Sequence, residues 1–118
     1  MNIQILPKEI ISRSLSKKEI ILNYEDSLKA LDILLESNIA LLGWEGWSKY
    51  PDGSVGHNDY QGTESINRKV GESWDNYAKR GYNFVKKTIQ ESYEDWIKSP
   101  QVKEYKLYFC ITPISKIK

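Results

Sequence analysis

At 118 residues the chain has room for one domain and a single modest core. Its composition, 40% apolar and 28% charged, is that of an ordinary folded protein rather than a disordered one. A net charge of +1 excludes any argument from global charge for a nucleic-acid partner or an anionic membrane.

No apolar run approaches the roughly 20 residues of a membrane-spanning helix. Met1-Asn2-Ile3-Gln4-Ile5-Leu6-Pro7 lacks the basic start, long apolar middle and small-residue cleavage site of a signal peptide. The single cysteine, Cys110, has no partner for an internal disulfide and sits in an apolar run. Together these features describe a cytoplasmic protein of one domain over residues 1–118 that does not engage a membrane.

In chain order, Pro7 is shaped for the first turn of a short helix over 8–14, with Ile10, Ile11 and Leu15 as its apolar side. Residues 19–22 are apolar but too few to assign. Tyr24, Leu28, Leu31 and Leu35 recur at helical spacing and predict an amphipathic helix. Asn23 is placed to cap its start, with Asp26 three residues on, and Asn38 suits a left-handed residue just past its end. Ile39-Ala40-Leu41-Leu42 then reads as a strand buried on both faces.

That strand runs into Gly43-Trp44-Glu45-Gly46-Trp47-Ser48-Lys49-Tyr50, where two glycines suggest a bulge or a close backbone approach. Pro51-Asp52-Gly53 predicts a tight turn that folds residues 54–61 back as a hairpin. The hairpin gathers Trp44, Trp47, Tyr50, His57 and Tyr60 into one small region. Strict alternation puts Trp44 and Tyr50 on one face and Glu45 and Trp47 on the other; a bulge at Gly46 would instead bring both tryptophans to one side.

Residues 63–71 are polar and read as a loop. From Ser73 to Lys98 the pattern is helical, with Tyr82, Val85, Ile89, Tyr93 and Trp96 as the apolar stripe, and Gly81 leaves one interrupted helix or two equally open. Ser99-Pro100 ends it. The final strand alternates Tyr105, Leu107, Phe109 and Ile111 with Lys106, Tyr108, Cys110 and Thr112, and Pro113 closes it. The fold class is α+β, a small, mainly antiparallel sheet covered by two or three helices.

Candidate functional residues concentrate in the hairpin. Trp74, Trp96, Tyr82 and Tyr93 belong to helix faces and hence to the core, and Trp44 ends a buried strand. Trp47, Tyr50 and Tyr60 stand among small and polar residues, where aromatic side chains serve as anchors for a partner. Glu45, Asp52, Asp59 and Glu64 face only Lys49 in the same stretch, a local acidity suited to a basic partner surface. His57 is the one side chain that exchanges protons near neutral pH. With Glu45, Asp52 or Asp59 it offers an alternative reading, a small hydrolase or carbohydrate-active enzyme with paired carboxylates.

Other chemistries lack their residues. One histidine and one distant cysteine do not make a zinc site, and the acids do not follow a calcium-loop spacing. No phosphate-binding glycine loop is present, so no cofactor is expected. Lys79-Arg80 and Lys86-Lys87 lie near aromatics, but Glu91, Glu94 and Asp95 follow on the same helix, which reads as a solvated face rather than a nucleic-acid site.

The run Ser27–Leu35, the strand Ile39-Ala40-Leu41-Leu42-Gly43 with an acid and aromatics after it, the helix with Phe84-Val85, Ile89 and Trp96-Ile97, and the strand Tyr105–Ile111 together resemble immunity protein 40, a family of bacterial polymorphic toxin systems. The resemblance spans residues 7–111 and departs from a Gly-Gly-Asp-like turn at Gly43-Trp44-Glu45-Gly46. It implies a cytoplasmic protein that binds a cognate toxin domain and blocks it, without catalysis. On that reading Glu45, Trp47, Tyr50, Asp52, His57, Asp59 and Tyr60 form the partner-binding site.

Overall fold

The computed structural model describes residues 5–62 and 66–116. Helix α1 (Lys8–Arg13) and the short strand β1 (Ile20–Leu22) lead into helix α2 (Tyr24–Glu36). Strands β2 (Ala40–Lys49) and β3 (Val55–Gly62) form a hairpin, followed by helix α3 (Trp74–Lys98), a 3-10 turn (Pro100–Lys103) and strand β4 (Lys106–Ile114). The four strands make one antiparallel sheet in the order β1-β4-β2-β3, so the last strand enters between the first strand and the hairpin. This is the α+β architecture expected, with α2 and α3 packed on the sheet. Among the described residues no helix is long and apolar enough to cross a membrane.

Local chemistry explains the helix limits. Asn23 accepts a hydrogen bond from the Asp26 amide at 2.8 Å, and Asn38 adopts a φ of 60° after the last turn of α2. The buried face of α2 is centred on Ser27, Ala30, Leu31 and Leu34, with Tyr24, Leu28 and Leu35 only partly covered, a slight rotation from the stripe read in the sequence. Ser73 caps α3 through the Asn76 amide, and the helix runs 25 residues without a break. Gly81 does not interrupt it. A Cβ there would lie 3.1 Å from the Leu41 carbonyl, so the glycine lets the helix sit close on β2.

The unassigned residues before α2 form an edge strand. Ile20, Ile21 and Leu22 are all buried. Their outer edge is closed locally: the Leu15 amide donates to the Ile21 carbonyl at 3.0 Å, and the Ile21 amide donates to Ser14 Oγ at 3.2 Å. Strand β4 continues past Pro113 to Ile114 rather than closing there. Pro113 pairs with Leu41 beside a register shift between Leu41 and Gly43, a bulge of the kind where a central strand tolerates a missing amide donor. Of the predicted polar loop, 66–71 is irregular, and 63–65 lie outside the described residues.

Between sheet and helices lies the core, with Trp44 and Phe109 at its centre, both fully buried and with ring centroids 5.1 Å apart. The Trp44 indole N–H donates to Thr88 Oγ1 on α3 at 2.8 Å. Replacing Thr88 with valine keeps its shape but leaves that donor unpaired in the core. The expected loss is about 1–3 kcal/mol of unfolding free energy, read by urea denaturation.

Two ion pairs fasten α1 and the 67–72 loop to the longer helices. Arg13 donates twice to Asp26, at 2.7 and 3.0 Å, joining α1 to α2. Arg80 donates to both carboxylate oxygens of Glu72 and to the Asn67 carbonyl, fastening 67–72 to α3. Arg80 is thus committed within the fold, which weakens the basic-patch reading of Lys79-Arg80 further. Hydrogen bonding to Arg13 lowers the Asp26 carboxyl, and hydrogen bonding to Arg80 brings Glu72 to about 2. Each is depressed in the folded state, so its stabilisation is fully present above the unfolded carboxylate pKa of about 4 and is lost as pH falls through the folded value. Unfolding free energy is therefore expected to drop from pH 5 towards pH 2 (measured by denaturant titration at each pH), with a shallower slope in Glu72→Gln.

Candidate functional site

The α2–α3 layer covers one face of the sheet, and the opposite face is where the hairpin presents chemistry. Alternation along β2 sends Trp44 and Ser48 inward and Glu45, Trp47 and Lys49 outward. Neighbouring strands continue the outer pattern in register. His57 of β3 lies beside Trp47, and Tyr108 of β4 lies on its other side; Cys110 lies beside Glu45, and Lys106 beside Lys49. The outer face therefore carries a cross-strand row His57–Trp47–Tyr108. Glu45 and Cys110 lie towards one end and the two lysines towards the other.

An irregularity in the hairpin keeps this pattern. Glu45 pairs with Gln61 and Trp47 with His57, so Gly46 alone faces Asn58, Asp59 and Tyr60. The excess on β3 is two residues, an even number, and the side-chain parity is preserved. β2 itself pairs regularly with β4 from Gly43 to Lys49. The two tryptophans therefore stay on opposite faces, and the alternative in which a bulge at Gly46 unites them does not occur. Asn58 organises the bulge, accepting from the Tyr60 amide at 2.9 Å and donating to Ser48 Oγ at 3.0 Å. Gly46 is required beneath it: a Cβ there would fall 2.1 Å from Asn58 Oδ1 and 2.8 Å from the Tyr60 carbonyl.

The seven residues expected to share one site divide three ways. Glu45, Trp47 and His57 are together on the outer face. The Trp47 and His57 rings are 4.2 Å apart, and His57 Nδ1 is 3.7 Å from Glu45 Oε2, an ion-pair distance but too long for a hydrogen bond. Their side chains are 54% (Glu45) and 65% (His57) exposed, so the pair lies open to solvent. Trp47 is half-buried, and its indole nitrogen is buried with no hydrogen-bond partner among the described residues.

Tyr50 and Asp52 belong to the hairpin tip. Asp52 shapes the turn by accepting from the Ser54 amide and hydroxyl at 2.9 and 2.6 Å, which hold its carboxyl below the usual range, and Gly53 takes the positive φ. Tyr50, 41% exposed, leans on Tyr105 with ring centroids 5.8 Å apart, at a shallow groove lined also by Lys49, Val102 and Lys103.

Tyr60 goes elsewhere. It is half-buried against the core and donates to Asp95 of α3 at 2.8 Å; burial, then the Asp95 carboxylate, push its phenol up to about 12. Tyr60 is a structural tie between β3 and α3, not an outer-face anchor. Asp59 is exposed within the bulge. Glu64, counted in the local acidity, lies outside the described residues.

Three contributors to the outer face lie outside the hairpin segment: Tyr108, Lys106 and Glu19. The alternation of β4 already placed Tyr108 and Lys106 opposite the buried set, but its neighbour in the sheet was not visible from spacing. Glu19 arrives through β1; the Cys110 thiol donates to its carboxylate at 3.9 Å. Burial, then Glu19 and Glu45, push that thiol up to about 12, which disfavours the thiolate. Among the described residues no group of three or more His, Cys, Asp or Glu side chains is gathered as a metal site would need.

Comparison with models of known families, with curated proteins and with solved structures finds no match. What defines the site is its own geometry. That geometry depends on the bulge: Gly46→Ala forces Asn58 and Tyr60 away from β2 and is expected to cost about 1–3 kcal/mol. The same variant should broaden or shift the amide signals of 56–62 in a heteronuclear NMR spectrum while leaving those of α2 in place.

Proposed function

We propose that this protein is a cytoplasmic immunity protein that binds and blocks a cognate bacterial toxin domain, with no catalysis of its own. The observation that carries the reading is the row His57–Trp47–Tyr108 on a sheet face that neither α2 nor α3 covers, with Glu45 beside it. Aromatic side chains held rigidly by strand pairing bury large area at little entropic cost, and binding surfaces concentrate their energy in such anchors. A strand-borne site is also pre-formed, which limits the ordering cost of association.

The hydrolase alternative asks more of the same residues. General acid–base work needs a carboxylate and an imidazole converging on a substrate screened from water. Glu45 and His57 lie instead on an open face, Asp52 is held by Ser54 at the hairpin tip, and Asp59 stands in the bulge. This spread of the acids favours the binding reading.

The test is rescue of growth. A candidate cognate toxin domain is expressed with the protein or with its Trp47→Ala variant. The native protein is expected to restore growth and to form a one-to-one complex. Trp47→Ala should weaken that complex by about 2 kcal/mol or more, roughly 30-fold in Kd, with an unfolding midpoint close to the native one. Absence of both rescue and complex would sink the reading for that toxin.

A further inference from the structure

We infer that the outer sheet face also pairs with a second copy of itself, giving a reversible two-fold dimer through Trp47 and Tyr108. The inference goes beyond the toxin-binding reading and does not rest on it. Its basis is the lengthwise order of charge on the face. Glu45 and Lys49 lie on the same side of β2, two residues before and two residues after Trp47. Strand geometry separates them by about 13 Å, with the indole midway. On β4 the order is repeated: Lys106 lies beside Lys49, Tyr108 beside Trp47, and Cys110 beside Glu45 and in contact with Glu19. Glu45 and Glu19 therefore occupy one end, where Lys18 stands beside Glu19, Lys49 and Lys106 the other, where Glu104 lines the same groove, and aromatic rings the middle.

Such a face is complementary to itself. A two-fold axis lying between two stacked sheets, running across the strands at Trp47 and Tyr108, reverses strand direction in the second copy while keeping β2 over β2 and β4 over β4. Glu45 of each copy then meets Lys49 of the other, and the Glu19 end meets Lys106, while the aromatic rows meet on the axis. Sheets stacked face to face lie about 10 Å apart, within reach of facing glutamate and lysine side chains. Isologous contacts of this kind are the commonest route to dimers, because one patch serves both copies.

Within a single copy the arrangement is electrostatically unfavourable. Lys49 and Lys106 are direct cross-strand neighbours, and among the described residues neither makes an ion pair. Like charges so placed destabilise a sheet, and the second copy supplies the missing carboxylates. Ile21 of β1 is already buried within the chain, so the open part of the face is about 14 Å across β4, β2 and β3 and about 30 Å along β2, a footprint of roughly 420 Å² per copy, in the range of weak, transient contacts. The dimer is accordingly a weak one, and a protein partner docking on the same face would displace the second copy.

The experiment uses the purified full chain alone, so its result is independent of any toxin. Sedimentation equilibrium across a concentration series is expected to show a 13.8 kDa monomer passing to twice that mass. Glu45 and Lys49 are the charges to change, because Lys18 stands beside Glu19 at the other acidic position. Glu45→Lys and Lys49→Glu should each raise the dimer Kd about tenfold. Glu45→Lys/Lys49→Glu should bring it back towards the native value, since the swap restores opposite charges across the axis. A circular-dichroism spectrum matching the native protein confirms that each variant is folded. A chain that stays monomeric throughout the series would overturn the inference, as would single variants that dimerise like the native protein or a swap that fails to rescue.

Discussion

The indole of Trp44 is the constraint on which the rest of the molecule depends. It is completely buried, lies edge-on to Phe109 and donates to Thr88, so one side chain links β2, β4 and α3. A buried donor left unpaired costs about 1–3 kcal/mol, so the helix hydroxyl opposite it is part of the same unit. Gly62 completes it: a Cβ there would lie 2.1 Å from the Trp44 nitrogen and 2.6 Å from Thr88 Oγ1. Three residues far apart in sequence thus share one space. Once Trp44 points inward, the period of the strand dictates that Glu45 and Trp47 point outward. The core contact and the exposed aromatic face are two consequences of one orientation.

Parity extends that orientation to the edge strand. A single extra residue in β3 would have turned His57 or Gln61 towards the helices and broken up the outer row. The actual excess is two residues, so both flanks of the bulge present the same face. The bulge has a second effect. β3 is the free edge of the sheet, and a long regular edge invites pairing with other chains. Interrupting it at 58–60, with Asn58 folded onto Ser48 and Tyr60 drawn to Asp95, blunts that edge. That leaves the face, rather than the edge, as the surface for the proposed association.

Local patterns made most of the elements legible. The β4 alternation, the Pro51-Asp52-Gly53 turn, the Asn23 cap and the helical stripe of Val85 and Ile89 each rest on interactions within a few residues, which sequence spacing records directly. What failed were inferences about neighbours. Tyr60 read as an exposed anchor because it stands among glycine, glutamine and aspartate, yet its partner Asp95 is 35 positions away and on another element. Pro113 read as a strand terminator, because the bulge that accommodates it belongs to β2. β1 has three residues, too few to carry a period, and exists because β4 and Ser14 flank it. The candidate site was legible as a segment and not as a surface. Glu45, Trp47 and His57 came together as alternation allows, whereas Tyr108 and Glu19 joined them through strand order.

A sheet face with two lysines side by side departs from what stability alone selects. A glutamate at position 106 would relieve the repulsion with Lys49, whereas the half-buried Trp47 ring suits a strand. That change would leave Trp44, Phe109 and the Thr88 bond in place, because position 106 alternates with the inward residues of β4. The core is therefore locally consistent, and the inconsistency is confined to one face, where β2 and β4 lie side by side. Sequences that specify a fold agree across levels except where another demand competes. On the proposed reading the competing demand is contact: aromatic area that gains by leaving water, and two neighbouring lysines with no ion-pair partner among the described residues.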